Sequence, residues 1–210
     1  YGRAESVVGR AIKSLSSATP SIITKLSPMS DLPASSPPHV VACAVEASIL
    51  RSSRELGLPR LPIVLLHRWE HRHAHSEIVW KKLIELREEG LISELGASVY
   101  NAEDALAALA DPEIRHLQIP LNILDRRWHT AGVPAAAKTR ANVCVYARSV
   151  FLQGLLVNQV KYWPSNTGMD CESVSRQINA LVKDLKRQDR RDLCLAYVAS
   201  QDWVDSMVVG

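Results

Sequence analysis

The strongest constraint in this 210-residue sequence is an alternation of two hydrophobic periods: short apolar runs take turns with stretches whose apolar residues recur every three or four positions. A run that is apolar on both faces must be buried on both, and a helical stripe between two such runs is the crossover that lets them pair in parallel. The runs are Ser21 to Lys25, Leu61 to His67, Ser93 to Ser98, Arg115 to Ile119, Val143 to Ser149 and Asp205 to Val209. Between them, Glu77 to Glu89 sets Val79, Leu83 and Leu86 at i, i+4 and i+7, adds Glu77 and Lys81 as an i,i+4 ion pair, and stops at Gly90. Glu172 to Arg187 carries a stripe of Val174, Ile178, Leu181, Val182 and Leu185, and Asn101 with Asp104 three residues on starts another helix. Six strands alternating with helices predict either an open doubly wound sheet or most of a (β/α)8 barrel. No G-x-G-x-x-G turn follows any of the runs, which takes weight from the first option.

Charge and cysteine usage narrow the class. The 25 Lys and Arg against 22 Asp and Glu leave a formal charge of +3 spread along the chain, with no run of five like charges, so a nucleic-acid footprint is not indicated. No stretch approaches 18 consecutive apolar residues and the first twenty residues lack a signal-peptide pattern, so neither a membrane span nor secretion is expected. Cys43, Cys144, Cys171 and Cys194 have no C-x-x-C spacing, and three of them sit inside apolar patterns as small buried hydrophobes would. A reducing cytoplasm is the expected setting; nothing in the pattern reads an oligomeric state.

In a barrel, chemistry gathers at the C-terminal ends of the strands. Those ends carry Lys25, His67, Ser98, Gln118, Asn122, Arg148, Ser149 and Gly154. A lone His at a strand end is more often a hydrogen-bonded structural residue than a catalyst, and a lone Lys is usually solvated. The combination changes the odds, because a Tyr, a Lys and a His at one mouth can supply a phenol as proton donor, a cation beside it and an orienting hydrogen-bond donor.

Several segments, in order, resemble the aldo/keto reductase family. Tyr1-Gly2-Arg3-Ala4-Glu5-Ser6 is similar to the segment after that family's second strand, Ile22-Ile23-Thr24-Lys25 to its third strand and Val64-Leu65-Leu66-His67-Arg68 to its fourth. Leu95-Gly96-Ala97-Ser98 resembles the fifth, Leu117-Gln118-Ile119-Pro120-Leu121-Asn122 the sixth, Ala147-Arg148-Ser149-Val150-Phe151-Leu152-Gln153-Gly154 the seventh and Val204-Asp205-Ser206-Met207-Val208-Val209-Gly210 the eighth. The resemblance implies one α/β domain over 1–210, an incomplete TIM (β/α)8 barrel with strands 3–8 present, strand 1 and most of strand 2 missing, and truncation at both ends.

The resemblance also implies an NADPH-dependent oxidoreductase, with NADH the alternative cofactor, that reduces an aldehyde or ketone to an alcohol. Tyr1 would be the general acid, Lys25 the cation beside it and His67 the residue that orients the carbonyl. A unit charge about 4 Å from the phenolate, at an effective dielectric near 20, is worth roughly 4 kcal/mol to that form. Ser98 and Gln118 would hold the nicotinamide carboxamide, while Ser149, Leu152 and Gly154 would line the pyrophosphate. Trp69 and Trp163 are expected as aromatic walls for a small carbonyl substrate, with packing of their loops the alternative. Val99 stands where the family usually has Asn, and Arg148 where an aromatic often stacks on the nicotinamide. The family's catalytic Asp would precede Tyr1.

Two other readings stand beside this one. His67 to His75 holds four His, and with Glu70 and Glu77 nearby it could serve a zinc-dependent barrel hydrolase. Yet His71, His73 and His75 fall in one loop, whereas barrel metal sites draw ligands from several strands, so no metal is expected and changes at these three should matter little. The second is a catalytically impaired, reductase-like cofactor-binding module.

Overall fold

The computed structural model describes residues 3–15, 20–164, 168 and 170–209. Contacts divide the chain into two compact units, one running to Leu117 and the other from Gln118. Throughout, the strands follow one another in the sheet in chain order.

The first unit holds α1 (Ala4–Ser14), β1 (Ile23–Lys25), α2 (Pro38–Leu56), β2 (Leu61–Leu66), α3 (Ile78–Glu88), β3 (Ile92–Ser98) and α4 (Ala102–Ala110). Both strand ladders are parallel: Ile23, Thr24 and Lys25 pair with Ile63, Val64 and Leu65, and Leu65 pairs in turn with Gly96. Val41, Val45 and Ile49 of α2 and Val79, Leu83 and Leu86 of α3 are buried with Leu61 and Ile63–Leu66, so the crossover helices cover the strands they connect. The Pro38 ring suits the first turn of α2, where an N–H would have no intrahelical acceptor. Gly90 ends α3 as expected, in a left-handed conformation at φ 85° that lets the Leu91 N–H reach back to the Leu86 carbonyl at 2.9 Å.

In the second unit, β5 (Cys144–Arg148) pairs in parallel with β6 (Ser206–Met207). The Asp205 carboxylate extends that ladder by accepting from the Val145 N–H at 2.7 Å. Short helices α5 (Arg127–Thr130) and α6 (Val133–Lys138) precede β5, and α7 (Cys171–Asp184) and α8 (Arg190–Ala199) precede β6. Strand β4 (His116–Pro120) contains the division point. Asp125, in the loop after β4, accepts from the Arg127 Nε and Nη2 at 2.8 and 2.6 Å and from the fully buried Trp128 indole at 3.2 Å. Burial alone would push the Asp125 carboxyl up, but these hydrogen bonds and the Arg127 charge outweigh it and hold the group below the usual carboxylate value.

All six expected strands are present, with β6 shorter than the apolar run that announced it. The expected stripe on α7 is only partly buried: Ile178 is inside, whereas Leu181 and Leu185 are exposed. Of the four cysteines only Cys194 is buried; Cys43 and Cys144 are exposed and Cys171 is half-buried, because apolar neighbours in sequence point to alternating sides of their elements. Burial pushes the Cys194 thiol up to about 11, which leaves it protonated and inert at neutral pH.

Gly96 is the tightest point of the first unit. A Cβ there would sit 2.5 Å from Leu65 Cδ2 and 2.7 Å from His116 Cβ, with the His116 carbonyl oxygen closer still. Gly96→Ala is therefore expected to cost about 3 kcal/mol or more, beyond ordinary overpacking because backbone must move, read as a lower urea midpoint or as insoluble protein. Asp125→Asn is expected to lower stability at pH 7 and to narrow its gap from wild type in acid. A depressed carboxylate contributes fully above its unfolded value of about 3.9, and its contribution is lost as pH falls through the lower folded value. Urea titrations at neutral and acid pH give both gaps.

Candidate active site

Parallel pairing brings the C-terminal ends of β1, β2 and β3 to one side of the first unit. Because Lys25 is level with Leu65 and Leu65 with Gly96, Lys25 ends β1 two residues short of the level of His67 and Ser98. Neighbouring strands lie about 4.8 Å apart, so the lysine stem must cross over β2 to reach β3. It does so: Lys25 Nζ donates to Ser98 Oγ at 3.3 Å. Ser98 is fully buried and His67 is 9% exposed.

Lys25 and His67 border the same groove, of about 530 Å3, with Glu5 of α1, Thr24 of β1 and Pro28 of the following loop. Thr24 Oγ1 donates to the Glu5 carboxylate, a tie that fixes α1 to β1. A Cβ on Gly9 would overlap the Glu55 carbonyl, so α1 also lies directly on the end of α2. A cation and an imidazole on one groove wall can both donate to an oxygen that gains negative charge, the arrangement acyl or carbonyl chemistry requires. Tyr1, the expected proton donor, lies outside the described residues.

Trp69 stands in a short 3-10 turn, Trp69–Arg72, and is 7% exposed. Its ring meets His73 edge-on at 6.0 Å, and it borders a second cavity of about 730 Å3 with Arg68, Glu70, Tyr100 and Asp104. Arg72 anchors the turn: its Nε donates to Asp111 at 2.7 Å, its Nη1 to Glu77 at 3.0 Å, and its guanidinium lies 5.1 Å over the Trp80 ring. Among the described residues no group of three or more His, Cys, Asp or Glu is placed to hold a metal ion, so the His67–His75 run gives a zinc centre no support. Its histidines separate by environment instead. His73 is exposed, while His71 is buried to 7% exposure.

The second unit presents Gln118, 6% exposed on β4, and the loop that follows β5. That loop is wound left-handed, with φ of 58° at Ser149, 48° at Leu152, 55° at Gln153 and 86° at Gly154. Each of the three non-glycine residues costs of order 1 kcal/mol to hold there. The Leu152 N–H closes the turn on the Ser149 carbonyl at 2.8 Å, and the Leu155 and Leu156 N–H groups return to Leu152 and Phe151. The N–H groups of Gln153 and Gly154 take no part in the hydrogen bonds among the described residues. Left-handed backbone with uncommitted N–H groups can form a concavity for an anion. Trp163, 6% exposed, has an indole N–H with no partner among the described residues.

The sequence model of the aldo/keto reductase family matches residues 1–210, and the chain belongs to that family. Solved structures agree on the fold. An aldo-keto reductase from Bacillus halodurans in its holo form superimposes with a TM-score of 0.73 at 20% identity, covering 97% of this chain and 66% of that one. A thermostable aldo-keto reductase in complex with the inhibitor epalrestat gives 0.68 at 20% identity, covering 98% and 66%. The chain thus spans just under two thirds of the length of either. No curated protein matches the chain at a significant level.

Sequence reasoning gave Glu5 and Arg72 no partners and weighed His71 only as a metal ligand. Only tertiary packing gives Glu5 and Arg72 their partners, Thr24 and Asp111. The left-handed loop makes a direct prediction. Gln153→Gly is expected to leave the protein about 1 kcal/mol more stable than Gln153→Ala, the reverse of their order in a helix, read from paired thermal or urea unfolding curves.

Proposed function

We propose that this chain reduces an aldehyde or ketone to an alcohol, with NADPH as hydride donor and NADH as the alternative. The observation that carries the reading is the convergence of Lys25, His67 and Ser98 at adjoining strand ends in a chain that belongs to the aldo/keto reductase family. When bound, the nicotinamide supplies the hydride; the protein's part is to place the carbonyl and deliver a proton to its oxygen. In this proposal His67 donates to the carbonyl oxygen and orients it. Tyr1 gives that oxygen its proton, and Lys25 favours the phenolate that remains.

The residues assigned to the cofactor fit it chemically. Ser149, Leu152 and Gly154 all adopt the left-handed conformation, and the Gln153 and Gly154 N–H groups have no partner among the described residues, which suits a pyrophosphate. Ser98 and the buried Gln118 amide suit the nicotinamide carboxamide, a group that both donates and accepts. Trp69 would wall the substrate side. We place this chemistry in a reducing cytoplasm, where Cys43, Cys144, Cys171 and Cys194, all free, stay as thiols. Among the described residues no helix is long and apolar enough to cross a membrane.

The test is NADPH oxidation followed at the nicotinamide absorbance with a panel of aldehydes and ketones, in protein that carries its native upstream residues. Tyr1→Phe and His67→Ala are each expected to lower kcat by about a hundredfold or more, as loss of a positioned acid or oxyanion donor does. Lys25→Met should do the same while leaving NADPH affinity within about threefold. Tight NADPH binding with no turnover of any carbonyl would overturn the reductase reading in favour of a binding module.

A further inference from the structure

The segment between His67 and α3 holds a backbone strain that one side chain closes. His75, Ser76 and Glu77 are left-handed in succession, at φ of 49°, 54° and 66°. Residues other than glycine visit that region singly, so three in a row must be held by contacts around them. The backbone gives little help: the Glu77 N–H meets the His73 carbonyl at 3.4 Å and the Ile78 N–H the His75 carbonyl at 3.2 Å. Arg72 supplies the rest. Its Nη1 donates to Glu77 Oε1 at 3.0 Å, which closes the strained stretch on itself, and its Nε donates to Asp111 at 2.7 Å, in the segment between α4 and β4. The guanidinium face lies 5.1 Å over the ring of Trp80, in the first turn of α3. With the Arg72 and Asp111 side chains 19% and 9% exposed, water competes weakly for this pair. Two donors on one rigid plane and a flat face over an aromatic ring are features that a lysine ammonium does not reproduce.

The same Glu77 oxygen leads back to the second cavity. His73 Nδ1 lies 3.9 Å from it, and the His73 ring meets Trp69 edge-on at 6.0 Å. Trp69 and Arg72 are also the first and last residues of one 3-10 turn. The cavity of about 730 Å3 that Trp69 and His73 border is bordered as well by Tyr100, from the loop after β3. Two aromatic surfaces on one cavity favour a flat, apolar group packed against them. Arg68, next to His67 in the chain, borders it too, so the cavity adjoins the proposed carbonyl site.

We propose that Arg72 is a positioning residue that makes this site selective for aryl carbonyl compounds: by holding Glu77 and Asp111 it fixes the turn that carries Trp69, the wall against which the substrate's ring packs. The inference rests on the reductase reading for its catalytic consequence, and on the structure alone for the tie itself.

The experiment compares wild type, Arg72→Lys, Glu77→Ala, Trp69→Ala and the double variant Arg72→Lys with Trp69→Ala, in the full chain with its native upstream residues. Three quantities are read: amide hydrogen exchange over residues 68–77 without cofactor, NADPH-dependent reduction of benzaldehyde and of propanal, and binding of benzyl alcohol by NMR titration. Lysine keeps a cation beside Asp111 but loses the fork and the flat face. Exchange over residues 68–77 should rise about tenfold in Arg72→Lys and in Glu77→Ala. In both, kcat/KM should fall about tenfold further for benzaldehyde than for propanal, through KM, with benzyl alcohol bound more weakly by a similar factor. In the Trp69→Ala background, Arg72→Lys should cost benzaldehyde less than about twofold, because the wall it positions is gone. Equal losses for the two aldehydes, full additivity of the two substitutions, or unchanged exchange would overturn the proposal. Should Arg72→Lys fail to fold, Glu77→Ala, at a half-buried position, carries the same comparisons. If wild type reduces neither aldehyde, the reductase reading fails by that result, and exchange together with benzyl alcohol binding still decides whether Arg72 sets the aromatic wall.

Discussion

The parallel register of β1, β2 and β3 is the constraint on which the site depends. Parallel pairing points three successive strands the same way, so residues that end those strands share one side whatever their separation in sequence. Lys25, His67 and Ser98 lie 42 and 31 residues apart along the chain, yet the register sets them within one lysine stem of each other. Gly96 is what permits that register. Any side chain at 96 would strike Leu65 on one neighbouring strand and His116 at the start of the next, pushing apart the strands whose ends carry Lys25, His67 and Ser98.

The strands were legible in the sequence for the same reason. Buried on both faces by α2 and α3, Ile63–Val64–Leu65–Leu66 has to be apolar throughout, and such a run is hard to mistake. The helix over Ile78–Glu88 was legible through its stripe and Gly90, and α4 through Asn101, whose side chain accepts from the Asp104 N–H at 2.7 Å. What was hidden has a common cause. Glu5 and Arg72 acquire their partners, Thr24 and Asp111, from 19 and 39 residues away, and no local pattern encodes such pairs. The α7 stripe misled in the opposite sense. Periodicity shows which face of a helix is apolar, but only packing decides how far that face is covered, and at Leu181 and Leu185 it is not.

The left-handed loop shows how a motif and its geometry differ in legibility. Ser149, Leu152 and Gly154 were assigned to the pyrophosphate by resemblance, yet only Gly154 carries any local sign of a positive φ. Local propensity places Ser, Leu and Gln in ordinary conformations, so their backbone must be imposed by contacts: the Leu152–Ser149 and Leu156–Phe151 hydrogen bonds, and the Asn158 amide on the Gly154 carbonyl at 2.9 Å. Without a neutral way to predict such compensation, sequence reasoning yields the residues but not the shape that suits them to an anion.

Backbone strain gathers in connections that follow strands. Among the described residues the non-glycine positions with left-handed φ are Met29, His75, Ser76, Glu77, Ser149, Leu152, Gln153 and Lys186. All but Lys186 fall in connections that leave the C-terminal ends of strands: after β1, after β2 and after β5. Each of these loops is also tied down by a polar side chain. Ser48 Oγ accepts from the Ser27 N–H in the one with Met29, Arg72 grips Glu77, and Asn158 holds Gly154. Strain at this level persists only where surrounding contacts over-determine the backbone.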